Sequence, residues 1–314
     1  MNNVIRWSIF KHKSELMGMA ICMILFFHSE IKFKYESLNI MKNICDIGVD
    51  IFMLLSGFSL ANSYYKNLNL ILFYKKRLIR IVPTYLVVFS LVYFYDDIIR
   101  YNTTIGKYLY DLFCLNFFID GSIYIWFIPV IIVYYILLPL YVKLYCSYRI
   151  VGWLPYILII IIVNFLVFSF PIKLFFLWVR MPIFLIGINL FLDNEKNLFL
   201  DKIFLFVMAI CAIVLSYIIL YNYPVMFGIK YFLYIPIVLW IISVYKTGKI
   251  YTVLLTFLGG ITLELYLLHE RIQWLLDNFV SNQYILCLLA ILLSIVLATI
   301  LHKGMSYIFD KLSA

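Results

Sequence analysis

The sequence predicts an all-α, polytopic membrane bundle of about ten transmembrane helices with cytoplasmic N- and C-termini. Three observations carry that prediction. Of the 314 residues, 66% are hydrophobic and 13% charged, against about 25% charged in soluble domains, so a water-soluble fold is excluded. The apolar residues come in long unbroken runs, unlike the apolar/polar alternation of a barrel strand. Lys and Arg are also unevenly distributed between the intervening segments, as the positive-inside rule requires.

Apolar runs bounded by charged residues, Pro or Gly mark spans at about 15–33, 47–65, 78–96, 123–142, 151–170, 174–192, 203–222, 229–245, 253–271 and 284–302. The pairs 151–170/174–192 and 203–222/229–245 have short connections and are equally readable as reentrant. With the N-terminus inside, 16 Lys and Arg fall in inner segments and eight in outer ones, with Arg180 inside a span. The N-terminus is basic and then apolar like a signal peptide, but without a small-x-small cleavage site it reads as a retained helix. The expectation is one transmembrane domain over 1–314 with no soluble domain appended, in the cytoplasmic membrane.

The net charge of +9 is explained by the inner loops and requires no nucleic-acid partner. Six scattered cysteines lack a C-x-x-C pair or a His at ligand spacing, so no metal site or disulfide framework is expected. Walker A, G-x-G-x-x-G, H-E-x-x-H and G-x-S-x-G motifs are absent.

Ionisable groups in hydrocarbon are costly and need a reason. His28 ends the first run, and Asp46 and Asp50 open the second with i,i+4 spacing on one helix face. Either carboxylate is placed to orient the imidazole as a general base; a hydrated interfacial histidine is the plainer alternative. Arg77 and Arg80 open the third span about 60° apart, suited to phosphate recognition, with cytoplasmic anchoring as the alternative. Arg180 and Glu264 lie among apolar residues and are expected in a polar interior, as functional groups or as an ion pair with each other. His269 lies near the outer end of the ninth span, about 140° around the helix from Glu264, so those two are not expected to form a dyad. His12 and His302 carry no signal beyond their interfacial positions, and Trp126 belongs to an aromatic belt.

Six stretches, LMGMAICMILFFH (16–28), GVDIFMLLSGFSL (48–60), FYKKRLIRIVPTY (73–85), IWFIPVIIVYYILLPLY (125–141), RMPIFLIGI (180–188) and GGITLELYLLHE (259–270), together resemble the acyltransferase-3 family of bacterial integral-membrane acyltransferases. The resemblance implies ten helices and transfer of an acyl group, usually acetyl, from cytoplasmic acyl-CoA to a hydroxyl of an extracytoplasmic cell-surface glycan. It maps the family histidine to His28, its R-x-x-R pair to Arg77 and Arg80, and its carboxylate to Asp50. The family often carries Arg where this chain has Met17, one face and about 16.5 Å from His28. Lys13, one turn earlier, is the expected substitute for contact with the donor. A transporter or flippase for a glycan or lipid-linked substrate, with Arg180, Glu264 and His269 as its polar path, is the competing reading.

Overall fold

The computed structural model describes residues 2–66, 68–122, 124–167, 174–193, 229–246 and 248–313, together with 210, 211 and 214. Among them there is no strand. The helices are α1 (Asn2–His28), α2 (Glu36–Ile44), α3 (Ile47–Lys66), α4 (Leu70–Tyr93), α5 (Ile105–Leu112), α6 (Leu115–Ile119), α7 (Phe127–Ser147), α8 (Leu154–Val167), α9 (Phe175–Leu192), α10 (Lys230–Val244), α11 (Lys249–Gly260), α12 (Thr262–Asp277) and α13 (Gln283–Ser313). A π-helical segment, Phe94–Arg100, continues α4, and a 3₁₀ turn, Arg149–Trp153, precedes α8. The chain divides into two compact units, one of Met1–Asn67 with Leu138–Thr262 and the other of Leu68–Leu137 with Leu263–Ala314.

In the first unit α1 begins well before its apolar run, because Ile5 and Ile9 at i,i+4 spacing are buried and carry the apolar stripe back toward the N-terminus. The backbone leaves helical geometry at His12 (φ −117°, ψ 17°). The core helix is α3, from Ile47 to Leu55 buried without a break, and glycines let its neighbours approach. A Cβ on Gly48 would stand 2.5 Å from the Ala20 carbonyl oxygen of α1; one on Gly57 would stand 2.1 Å from that of Phe184, and one on Gly187 2.2 Å from that of Leu54. Backbones this close are the small-residue packing expected between membrane helices. Asp50 also meets Arg180, the same sequence offset as Gly57 to Gly187, so α3 and α9 run parallel. Gly18 and Gly259 bring α1 and α11 together in the same way, on Leu255 and Ser14.

In the second unit the Asn69 side chain caps α4 by accepting from Leu72 N at 3.0 Å. Tyr74 Oη on α4 donates to the Ile136 carbonyl of α7 at 3.2 Å, and α4 also packs on α13. Ile125, just before α7, has φ 57°, a left-handed conformation rare for a β-branched residue and held only where the surroundings impose it.

Among the described residues, five stretches are long and apolar enough to cross a membrane, Glu36–Lys66, Leu70–Arg100, Phe127–Ser147, Phe175–Leu192 and Gln283–Phe309, and a sixth if α11 and α12 count as one bent span. The expected ninth span, 253–271, is broken at Ile261, where Thr262 Oγ1 donates to the Gly259 carbonyl at 3.4 Å. A new helix starts there with Glu264 in its first turn, where helix N–H groups favour a carboxylate. The expected fifth and eighth spans are the shorter apolar helices α8 and α10, and 203–222 lies outside the described residues. The first expected span, 15–33, ends as helix at His28.

Candidate functional site

The close approach of α3 and α9 places charge in the middle of the first unit. Arg180 is 1% exposed and Asp50 fully buried, and Arg180 Nη1 donates to Asp50 Oδ2. Asp46, one turn earlier and just before α3, places its Oδ2 2.8 Å from Lys230 Nζ and 3.8 Å from Arg180 Nη2 as ion pairs. The Arg180 guanidinium sits 4.1 Å over the Tyr231 ring. Two carboxylates thus face two cations, and each charge has a compensating partner, as burial requires. The sequence flags Asp50 and Arg180; Lys230 escapes notice because a lysine opening an apolar run looks like an interfacial anchor.

His28 is the last residue of α1 and is half-buried, its ring 4.7 Å from that of Phe27. The chain beyond it is fixed at several points. Ser29 Oγ donates to the Phe26 carbonyl at 2.7 Å, and Lys42 Nζ, from α2, donates to the carbonyls of Ser29 and Ile31, both at 2.9 Å. Asn39 brackets Phe33, its Oδ1 accepting from the backbone N–H at 2.8 Å and its Nδ2 donating to the carbonyl at 3.0 Å. A cation just past a helix C-terminus complements the dipole. Lys42 therefore fixes the chain immediately beyond the end of α1, after His28. Near the middle of α1, Lys13 follows the His12 kink, where His12 Nδ1 lies 2.8 Å from Glu15 Oε2.

The second unit holds the remaining sequence-predicted residues. Arg77 is half-buried and Arg80 exposed on α4; the Arg77 guanidinium lies 6.0 Å from the Phe73 ring centre. Its Nε is buried with no hydrogen-bond partner among the described residues. Trp126 follows the strained Ile125 and lies edge-on to Phe127, 6.1 Å between ring centres. Glu264 does not pair with Arg180 but with His302, Oε1 to Nδ1 at 2.9 Å. His269 is buried with Nδ1 3.1 Å from the Leu265 carbonyl and 2.9 Å from that of Tyr266. Carbonyl oxygens only accept, so Nδ1 donates in this arrangement. The sequence alone left His302 without a role because its partner is remote in the chain.

Cys114 of the second unit is an alternative nucleophile. Tyr85 Oη donates to the Leu112 carbonyl at 2.9 Å and lies 3.2 Å from Cys114 Sγ. Burial pushes the Cys114 thiol up, away from the reactive thiolate, so the acyl-transfer role is not assigned to it.

A family model described as an acyltransferase domain matches residues 16–303, which takes in every site residue named here except Lys13. No curated protein and no solved structure matches the chain. With the match running over nearly the whole chain, and the described residues forming helices and no strand, several of the helices apolar and of membrane length, the protein belongs to the acyltransferase-3 family and is a membrane acyltransferase.

Proposed function

We propose that this acyltransferase transfers an acetyl group from cytoplasmic acetyl-CoA to a hydroxyl of an extracytoplasmic cell-surface glycan, as a protein of about ten spans in the inner membrane with both termini cytoplasmic. The observation that carries the reading is the fixed end of α1, where Lys42 and Ser29 hold the backbone on the C-terminal side of His28. A general base must be held in place before its basicity counts. In this reading His28 takes the proton of the acceptor hydroxyl as its oxygen attacks the thioester carbonyl. The C–O bond forms, the C–S bond breaks, and coenzyme A leaves as the thiolate.

Asp50 acts through Arg180: the pair locks α3 to α9 and so fixes the wall against which α1 packs at Gly48. Arg77 and Arg80, with Lys13 as the expected further cation, hold the phosphates of the donor; the buried Arg77 Nε, with no hydrogen-bond partner among the described residues, supports an anionic ligand there. Trp126, Glu264 and His269 are assigned to shaping the substrate path. The transporter reading gains nothing from its polar residues, since Arg180 is paired with Asp50, Glu264 is in hydrogen-bond contact with His302, and His269 Nδ1 is engaged by carbonyls of its own helix. The test is incubation of the purified protein with acetyl-labelled acetyl-CoA and surface polysaccharide. Label in ester linkage to the sugar supports the reading, and passage of glycan across vesicles without ester formation contradicts it.

A further inference from the structure

The end of α4 in the second unit carries a cluster that the donor and base assignments leave unused. The π segment Phe94–Arg100 sends Asp96 to Arg271 of α12, with Nη2 donating to Oδ2. Arg271 in turn lies over the Trp274 ring, 4.7 Å from its centre, and Arg100 lies over the same ring at 5.0 Å and over Tyr101 at 5.1 Å. π segments are rare and concentrate at functional sites. Asn102 follows with φ 48°, a conformation asparagine tolerates, and the turn is closed by Thr103 N donating to the Asp97 carbonyl at 2.7 Å.

The two arginines are not equivalent. Asp96 neutralises Arg271, and Asp97 is buried beside Asp111, whose own cation is Lys107, 2.7 Å away. Arg100 is exposed, and among the described residues it makes no ion pair. Contact with two aromatic rings restrains its guanidinium while the residue as a whole stays exposed. The N–H edge of a guanidinium matches two oxygens of a carboxylate or phosphate, a geometry that lysine cannot reproduce.

We propose that Arg100, restrained by Trp274 and Tyr101 beside the Asp96–Arg271 pair, is the subsite for an anionic substituent of the acceptor glycan, a sugar carboxylate or phosphate. The inference rests on the acyl-transfer reading above, in whose topology the segment after residue 96 lies outside, and it narrows the acceptor to an acidic polysaccharide. An arginine beside a tryptophan at a span end also suits a lipid headgroup, so the experiment must separate the two sources.

The full chain, purified in a neutral detergent, is given acetyl-CoA and two oligosaccharides of equal length, one of uronic acid residues and one of the corresponding neutral sugar. Arg100→Ala is expected to lower the acidic-to-neutral ratio of kcat/KM about ten- to a hundredfold, the worth of a hydrogen bond to a charged group, chiefly through KM. Arg100→Lys keeps the charge without the planar fork and is expected to recover only part of the ratio. Thermal unfolding of both variants confirms that they are folded. An unchanged ratio overturns the proposal. So does an effect of Arg100→Ala that appears only in vesicles containing phosphatidylglycerol, which assigns the arginine to lipid. A wild-type protein that acylates neither sugar fails the proposed function itself, and this proposal with it.

Discussion

Asp50 and Arg180, 130 positions apart in sequence, form a buried ion pair between two parallel helices, and Gly57 and Gly187, at the same offset, permit the close approach that brings the pair together. Each charge is tolerated because the other is present. Removing one partner of such a pair costs about 3–5 kcal/mol, because it strands a buried charge. Arg180→Met and Asp50→Asn are each expected to lower the thermal stability of the detergent-solubilised protein, with the double variant losing less than the sum of the two. Arg180→Met is expected to be worse than Lys230→Met, since Arg180 faces both Asp46 and Asp50 while Lys230 bonds Asp46.

The glycine contacts make a sharper steric prediction. A side chain at Gly57 or Gly187 collides with backbone, not with a side chain that can turn aside. Gly57→Val or Gly187→Val is therefore expected to abolish recovery of folded protein on size-exclusion chromatography. Gly304→Ala meets nothing within 4 Å and is expected to leave the profile unchanged, with a gain of up to about 1 kcal/mol from helix propensity.

Lys42 is a positioning residue, and its test is kinetic. Lys42→Met frees the carbonyls of Ser29 and Ile31 and is expected to reduce kcat about tenfold or more by misplacing the base, with KM for acetyl-CoA unchanged. Lys42→Arg is expected to restore much of the loss. Parallel falls in kcat and thermal stability for Lys42→Met would instead assign it a purely structural role.

For the donor, Arg77→Ala is expected to raise KM for acetyl-CoA about tenfold to a hundredfold, the range for a charged hydrogen bond, with a smaller rise for Arg80→Ala because Arg80 is exposed. Lys13→Ala is expected to weaken donor binding as well; an unchanged affinity removes Lys13 from the donor site.

The helical, membrane-embedded character of this chain was legible in its apolar runs, and so were the groups that strain against that environment, Asp50, Arg180 and Glu264. Their partners were not. Periodicity tells which face of a helix a residue occupies but not which helix lies opposite, so the Arg180–Glu264 pairing weighed from sequence gives way to Arg180–Asp50 and Glu264–His302. Lys230 and Lys42 were hidden for a related reason: a lysine beside an apolar run looks like an anchor until its carboxylate or carbonyl partner is seen. The break at Ile261 was hidden because the Gly259–Gly260 pair before it adds no charge to the apolar run. Hydropathy records transfer cost, whereas glycine weakens a helix through its backbone freedom.

The central claim is that His28 is the base, and its most direct measurement is acetyl transfer to glycan by His28→Ala protein that inserts and unfolds like the wild type. The expected result is a fall in kcat of about 10²–10⁴-fold, with acetyl-CoA binding retained. Transfer at the wild-type rate would contradict it.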